Sequence, residues 1–319
     1  MKPFETFEVV RTASGEISIR NNVVNEVMHN PVGPWAEANL LYIEASKLVQ
    51  QLISEEQHPL VLFDVGLGAA ANALAALSAF VRAKETGHPC RPLTIVSFEN
   101  DLSLLAFVID NAEKIPYMAG RTHILQHLLE HHSWTSPDGA LNWYLHEGDF
   151  LKTAECAQQK PDIVFFDPYS PAVNGDMWSV DAFSKLYACT NFGNHPCTVY
   201  TYSRATPVRT SMLASGFFVG NGPTSGLKNE TTQAATHLQL LTDPLGYRWF
   251  IRWLRSHKRF QEPCDNKTKD LLTSRILNHQ QFMKHHKDAL LDWKMLEQPS
   301  ESENYLGWFL ARENARPAT

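Results

Sequence analysis

The sequence predicts an α/β fold built on a doubly wound, mostly parallel sheet, and three observations predict it. Short runs that are apolar on both faces, such as "LVLFDVG" and "DIVFFD", read as buried strands. Stretches with helical spacing alternate with them, which is the pattern of a parallel sheet covered on both sides. Gly66 and Gly68 fall where the first of these strands turns into its helix, so the backbone can bend sharply there and approach a ligand.

The segment 1–57 is expected to cap the fold. It holds a strand-like "FEVVRT", a turn at Ser14-Gly15, and a helix from Trp35 to Ile53, in which Ala38, Leu41, Tyr42, Ala45, Leu48 and Val49 recur near helical spacing. The main domain spans 58–240. Its order is strand "LVLFDVG", helix "AAANALAALSAFVRAKE", strand "LTIVSFE", helix "LSLLAFVIDNAEK", strands "NWYLHEGD" and "DIVFFD", helix "SVDAFSKLYACT" and strand "CTVYTYS". Residues 241–319, rich in aromatics, Arg, Lys, His and Gln, read as a helical C-terminal extension with a loop at "EQPSESEN".

With 44% hydrophobic and 19% charged residues over 319 positions, the chain can bury a sizeable core. It contains neither the ~18 consecutive apolar residues of a membrane span nor the basic and apolar regions of a signal peptide, so a cytoplasmic protein with no membrane association is expected. The cysteines, Cys90, Cys156, Cys189, Cys197 and Cys264, are odd in number and form no Cys-x-x-Cys pair; they read as reduced thiols. A net charge of -6 argues against general adhesion to nucleic acid, while a local basic face can still hold a polyanion.

Gly66, Gly68 and Ala71 satisfy the G-x-G-x-x-A pattern of dinucleotide-binding proteins, so an NAD or FAD enzyme stands beside an S-adenosylmethionine enzyme. Asp64, two residues before the first glycine, suits a contact to the amino-acid end of S-adenosylmethionine and is foreign to the dinucleotide fingerprint. Glu99 ends the second strand, where an acid can accept both ribose hydroxyls, and Asp149 follows the next one, within reach of an adenine amino group. The competing explanation for each acid is a helix N-cap.

"DIVFFDPYSPAVNGDMW" places Asp167 at the carboxyl end of a strand, where a doubly wound sheet binds its ligands. Methyl transfer to nitrogen needs an uncharged lone pair, yet an alkyl amine with a pKa near ~10.4 is protonated at neutral pH. A carboxylate at Asp167 can hold and orient such an amine and take its proton, and Tyr169 offers a ring for stacking. A capped proline turn is the plain structural alternative.

Beyond these sites, the chain resembles the methyltransferase domain of the bifunctional tRNA 5-methylaminomethyl-2-thiouridine biosynthesis family, in its stand-alone form. The resemblance rests on Asp167-Pro168-Tyr169-Ser170-Pro171, Asn174 and Asp176-Met177-Trp178. It extends to "TYSRATPVRTSMLASGFFVGNGPTSGLKNETT" through Arg209, Gly216-Phe217, Gly226, Lys228 and Glu230, and to the N-terminal "GPWAEANLLYIEASKL" through Glu37. It covers roughly residues 25–235. It implies a Rossmann-like fold of the class I S-adenosylmethionine-dependent type and methylation of the aminomethyl group on a wobble uridine of tRNA. Asp167 and Tyr169 then act at the acceptor amine, with Asp64, Gly66, Gly68, Glu99 and Asp149 on the cofactor. Asp176, Trp178, Arg209, Lys228 and Glu230 fall on the substrate side. Pro168 departs from the family's Gly, and no second glycine-rich strand-turn-helix of an FAD oxidoreductase domain follows residue 240, so a separate enzyme is expected to supply the amine.

"YRWFIRWLRSHKRF" sets Arg248, Arg252, Arg255 and Arg259 on one helical face and Trp249 and Trp253 on another. Arg252 and Arg255 are thereby candidate contacts to the anticodon region of a tRNA, against the alternative of a solvated helix docked by its tryptophans. His123, His127 and His131 share one helix face but lie in a line unsuited to a tetrahedral metal site, and no metal is expected. Two other functions fit the residues: the same chemistry on a small-molecule or protein amine, and a catalytically silent nucleotide- or RNA-binding module.

Overall fold

The computed structural model describes residues 6–28, 32–190, 195–224 and 230–285. Its smaller sheet is an antiparallel meander of β1 (Phe7–Arg11), β2 (Ile17–Asn21) and β3 (Glu26–Val27). The larger comprises β4 (Leu60–Val65), β5 (Leu93–Glu99), β6 (Ser133–Thr135), β7 (Leu141–Glu147), β8 (Ile163–Phe166), β9 (Thr198–Thr201), β10 (Phe218–Gly222) and β11 (Thr231–Ala235). Its eight strands lie in the order β10-β11-β9-β8-β4-β5-β7-β6. β9, β8, β4, β5 and β7 pair in parallel. β6 pairs antiparallel with β7 at one edge, and β11 antiparallel with both β9 and β10 at the other.

Of the five expected strands, β4, β5, β8 and β9 are buried on both faces, whereas β7 alternates, with Leu141, Trp143 and Leu145 inward and Tyr144 exposed. Phe63, Val65, Phe98, Val164 and Phe166 turn to one side, Leu60, Leu62, Ile95, Ile163 and Phe165 to the other, and both sets are almost completely buried. The order of strands reverses at β4, which has β5 on one side and β8 on the other. A doubly wound sheet opens a crevice at such a reversal, beyond the carboxyl ends of the strands.

The continuous helix expected from Trp35 to Ile53 is broken. Pro34–Ala38 is α-helical, Asn39–Glu44 forms a π-turn, and a second α-helix runs over Leu48–Leu52 after Lys47 takes a left-handed φ of 53°. The Ser46 hydroxyl donates to the carbonyls of Tyr42 and Ile43, drawing the chain off the α-helical ladder there. The apolar spacing still held, because every piece packs on the same core, but the π-turn re-aims Tyr42 against Phe165, with ring centroids 5.0 Å apart.

After β11 the chain is helical over Tyr247–Arg255 and Asn266–Leu277, as expected for the extension. It is built into the main core rather than appended to it. Trp249, Phe250, Trp253, Phe260, Ile276 and Phe282 join the cluster that contains Val219 and Met212. The buried Gln281 side chain accepts from the Val219 N–H and donates to the carbonyls of Val219 and Leu245. Together with the Leu245 N–H donating to Val219 O, this closes the edge of β10 that would otherwise be left open.

Candidate active site

The crevice at the strand reversal is a cavity of about 970 Å³, lined by the loops after β4, β5, β7, β8 and β9 and by the N-terminal segment. That volume lies at the upper end of the ~300–1,000 Å³ usual for ligand sites. Its floor is the turn after β4. Gly66, Gly68 and Ala70 all adopt positive φ, at 90°, 52° and 60°, so three peptide units reverse direction within five residues before the helix Ala71–Glu85 begins. A Cβ on Gly66 would stand 2.8 Å from the carbonyl oxygen of Asp167, so only glycine lets the β4 and β8 loops meet.

Glu99 stands beside that turn. One carboxylate oxygen accepts from the Gly68 N–H at 2.8 Å, and the other accepts from the N–H groups of Asn100 and Asp101. Burial raises its pKa, and the three backbone donors oppose that shift. A carboxylate offers about four lone-pair positions, so Glu99 has room for one further donor rather than the two ribose hydroxyls its position suggested. Asp101, which also lines the cavity, is the neighbouring acceptor. Asp149 is the helix N-cap that was its alternative reading, and it also faces the cavity. It caps the short helix Phe150–Thr153 by accepting from the Leu151 N–H at 3.0 Å, and it lines the cavity with Gly148.

Asp64 does not reach the cavity, and its expected contact to the cofactor is corrected. The pleat that brings Val65 to the cavity turns Asp64 to the opposite face, where it is completely buried. There it accepts from Ser97 at 2.8 Å, and Ser97 in turn accepts from the Trp143 indole at 2.9 Å. Its second oxygen has no hydrogen-bond partner, and burial pushes its pKa up to about 7.

At the other end of the cavity Asp167 is held from two sides. The Asn72 amide donates to its carboxylate at 2.7 Å, and its own N–H donates to Val65 O. Tyr202 anchors the loop by donating to the Pro168 carbonyl at 3.1 Å. Burial, followed by the charges of Asp167 and Glu37, holds the Tyr42 phenol far above its ordinary pKa; burial, then Asp167, Glu26 and Glu37, does the same to Tyr202. Tyr169 lines the cavity half-buried, and its hydroxyl accepts from Asn21 of β2 at 3.0 Å, which fixes the ring from the N-terminal sheet.

Several expected substrate contacts have other work. Trp178 is fully buried against Phe166 and Tyr202 and donates to the Tyr169 carbonyl at 2.8 Å; it fastens the loop and cannot touch a substrate. Asp176 is exposed at the cavity rim. Arg209 is 2% exposed and ties the helix Thr206–Ala214 to β11 through Thr232, Thr231 O and Glu230, so its substrate role is corrected. Glu230, spent on that pair, does not line the cavity, and the substrate contact expected of it is corrected too. Gly226 and Lys228 lie outside the described residues. Arg248, Arg252 and Arg255 are exposed on their helix, whose Trp249 and Trp253 are buried as expected. Arg259 is not part of that stripe: it lies past the helix end, donates to Leu254 O and covers the Trp253 ring.

Sequence reasoning passed over Asn21, Glu26, Asn72, Asp101 and Tyr202, all of which line the cavity. Asn72 alone had a local signal, as the polar second residue of an otherwise apolar helix start; the others come together only through the fold.

A parallel-rich sheet that reverses at β4, a three-fold left-handed turn beneath the cavity and an acid ending β5 define a Rossmann-like fold with a nucleotide-type site at its strand reversal. Residues 117–237 match the model of a family described as S-adenosyl-L-methionine-dependent methyltransferase. The chain is 26% identical over 220 residues to the tRNA 5-methylaminomethyl-2-thiouridine biosynthesis bifunctional protein MnmC of Vibrio cholerae serotype O1, covering 65% of this chain and 32% of that protein. The protein of the same name from Pseudomonas putida is 26% identical over 223 residues, covering 68% and 33%. The chain thus spans about a third of the length of these relatives. Among solved structures, MnmC2 from Aquifex aeolicus shares the fold with a TM-score of 0.62 and 22% identity, over 85% of this chain and 84% of that one. The cofactor is S-adenosylmethionine. Among the described residues no helix is long and apolar enough to cross a membrane.

Proposed function

We propose that this protein methylates the amino nitrogen of an aminomethyl group on the wobble uridine of tRNA. The observation that carries the reading is Asp167, a carboxylate at the carboxyl end of β8, set in the cavity by Asn72 and by the Gly66 contact. The likeness to MnmC, whose name states its tRNA product, supports the choice of acceptor.

The residues fit the cofactor. Gly66 and Gly68 leave the turn without side chains, Glu99 keeps one acceptor position beside it, and Asp149 stands at the next strand end for the adenine. Bound there, S-adenosylmethionine supplies a methyl group on a positively charged sulfur. The chain supplies the rest. Asp167 accepts hydrogen bonds from the acceptor amine, orients its nitrogen and takes its proton, because only the neutral amine has a lone pair to share. Tyr169, steadied by Asn21, gives the acceptor's ring a stacking surface, and Asp176 stands at the rim where the acceptor enters. Arg252 and Arg255 track the phosphates of the tRNA from outside the cavity, which is itself acidic and repels them. The described N-terminal segment, the sheet domain and the helices Tyr247–Arg255 and Asn266–Leu277 act as one unit through their shared cores, in the cytoplasm where tRNA is found.

Titration calorimetry with S-adenosylhomocysteine, followed by nucleoside analysis of tRNA incubated with protein and S-adenosylmethionine, tests this reading. Saturable binding that NAD does not displace, and conversion of aminomethyluridine to its methylated form, are expected. Displacement by NAD, or no change in the nucleoside, contradicts it.

A further inference from the structure

The N-terminal sheet closes on the loop after β8 through two side-chain contacts. Ser170 donates to the Glu26 carboxylate of β3 at 2.7 Å, and the Asn21 amide at the end of β2 donates to the Tyr169 hydroxyl at 3.0 Å. The backbone fixes which end of that amide faces the tyrosine. The Asn21 oxygen accepts from the N–H groups of Val23 and Val24, at 3.0 and 3.4 Å, in the turn that leaves β2. Reversing the amide would set its NH2 against those two donors, so the NH2 belongs on the side of Tyr169. Asn21 is 8% exposed, which leaves little room for water to replace these partners.

The consequence falls on the tyrosine's proton. A phenol has one hydrogen to give, and Asn21 turns a donor toward it rather than a lone pair. Among the described residues the Tyr169 hydroxyl makes no other hydrogen bond. Its backbone is fastened on both sides, by the Trp178 indole on the Tyr169 carbonyl at 2.8 Å and by Tyr202 on the Pro168 carbonyl at 3.1 Å, so the ring is not free to seek a partner elsewhere. Burial raises its pKa, against the opposing effect of Asn21, and the phenol keeps its proton at neutral pH. That proton is left for the cavity, which Tyr169 lines together with Asn21, Glu99, Asp101 and Asp149. As carboxylates these three acids accept only, so a donor is what they do not provide.

We propose that Asn21 is a positioning residue that makes the Tyr169 hydroxyl a dedicated hydrogen-bond donor to an oxygen of the nucleoside bound beside it. Cofactor and acceptor uridine are both nucleosides, and the lone pair comes from an oxygen of one of them. The acceptor source rests on the tRNA reading; the cofactor source does not.

The test is titration calorimetry of wild type, Tyr169→Phe, Asn21→Asp and the double variant, first with S-adenosylhomocysteine and then with 5-aminomethyluridine added to that complex. Asn21→Asp keeps an oxygen for the Val23 and Val24 N–H groups and presents its other oxygen to Tyr169, which then spends its proton there. Each single variant should weaken one of the two ligands by about five- to tenfold, and adding Asn21→Asp to Tyr169→Phe should weaken it by less than about twofold further. A loss for S-adenosylhomocysteine assigns the donor to the cofactor, and a loss confined to the uridine assigns it to the acceptor. Wild type that binds S-adenosylhomocysteine but not the uridine rejects the tRNA reading, and the cofactor titration then decides alone. Tyr169→Phe that weakens neither ligand overturns the proposal. So does an Asn21→Asp loss that is as large without the Tyr169 hydroxyl as with it, because Asn21 then acts on the fold and not through the tyrosine.

Discussion

Asp64 shows how far the environment of one side chain can depart from what its place in the sequence suggests. Burial raises its pKa to about 7, from 3.8 when unstructured, so the sign of the linkage follows directly. Below about pH 4 the group is protonated in both states. As pH rises toward 7 the unfolded chain releases the proton while the folded one keeps it, so stability falls across that window and the full penalty applies above it. The penalty is on the order of 4 kcal/mol. Asp64→Asn keeps the size of the side chain and can still accept from Ser97, and it removes the titration. Chemical denaturation as a function of pH should therefore show the variant gaining on wild type between about pH 4 and 7 and holding that gain above. Its affinity for S-adenosylhomocysteine should be unchanged, because Asp64 does not line the cavity. A variant that loses cofactor affinity, or whose advantage does not grow with pH, would contradict this account of the residue.

Among the elements, the helix Tyr247–Arg255 separates structural from functional work on its two faces. Trp249 and Trp253 are buried, and the Trp253 indole donates to Thr210 at 2.9 Å, so one face docks the extension on the sheet domain. Arg252 and Arg255 are on the solvent side. The double charge reversal Arg252→Glu and Arg255→Glu should leave thermal stability and cofactor affinity near wild type, weaken tRNA binding by about tenfold or more, and flatten its dependence on salt by roughly one phosphate contact per arginine removed. Filter binding across a salt series reads this directly, and an unchanged slope would remove the phosphate role. The loop Asp167–Trp178 divides its labour differently. Its acid and tyrosine face the cavity, while Trp178 serves as the internal fastening through the Tyr169 carbonyl. That tryptophan belongs to the most recognisable part of the motif, which shows that a distinctive residue can be distinctive for packing alone.

At the scale of the whole molecule, what could be read in the sequence was what depends on local pattern. β4, β5, β8 and β9 were legible because both of their faces are buried, β7 because its apolar residues alternate, and the turn because Gly66 and Gly68 mark it. β6, β10 and β11 were not legible: Ser-Trp-Thr is too short to show a period, and the last two strands are rich in Gly and Thr and are held by their neighbours. The same contrast governs the cavity. Gly66, Gly68, Glu99, Asp149, Asp167 and Tyr169 sit at strand ends, where position along the chain predicts position in space. Asn21, Glu26 and Tyr202 reach the same space from remote segments, and no local spacing announces them. Asp64 and Arg209 went the other way, since an acid near a glycine turn and an arginine near a helix start look functional until the pleat and the packing place them inside. The central claim joins these levels: the cavity holds an acceptor amine at Asp167 and transfers a methyl group to it. The most direct measurement is transfer of tritiated methyl from S-adenosylmethionine to tRNA bearing the aminomethyl group and to the same tRNA lacking it, by wild type and by Asp167→Ala. Label should enter only the aminomethyl tRNA, and Asp167→Ala should lose most of that transfer, by about a hundredfold or more, while still binding the cofactor. Equal labelling of both tRNAs, or near-normal transfer by Asp167→Ala, would contradict it.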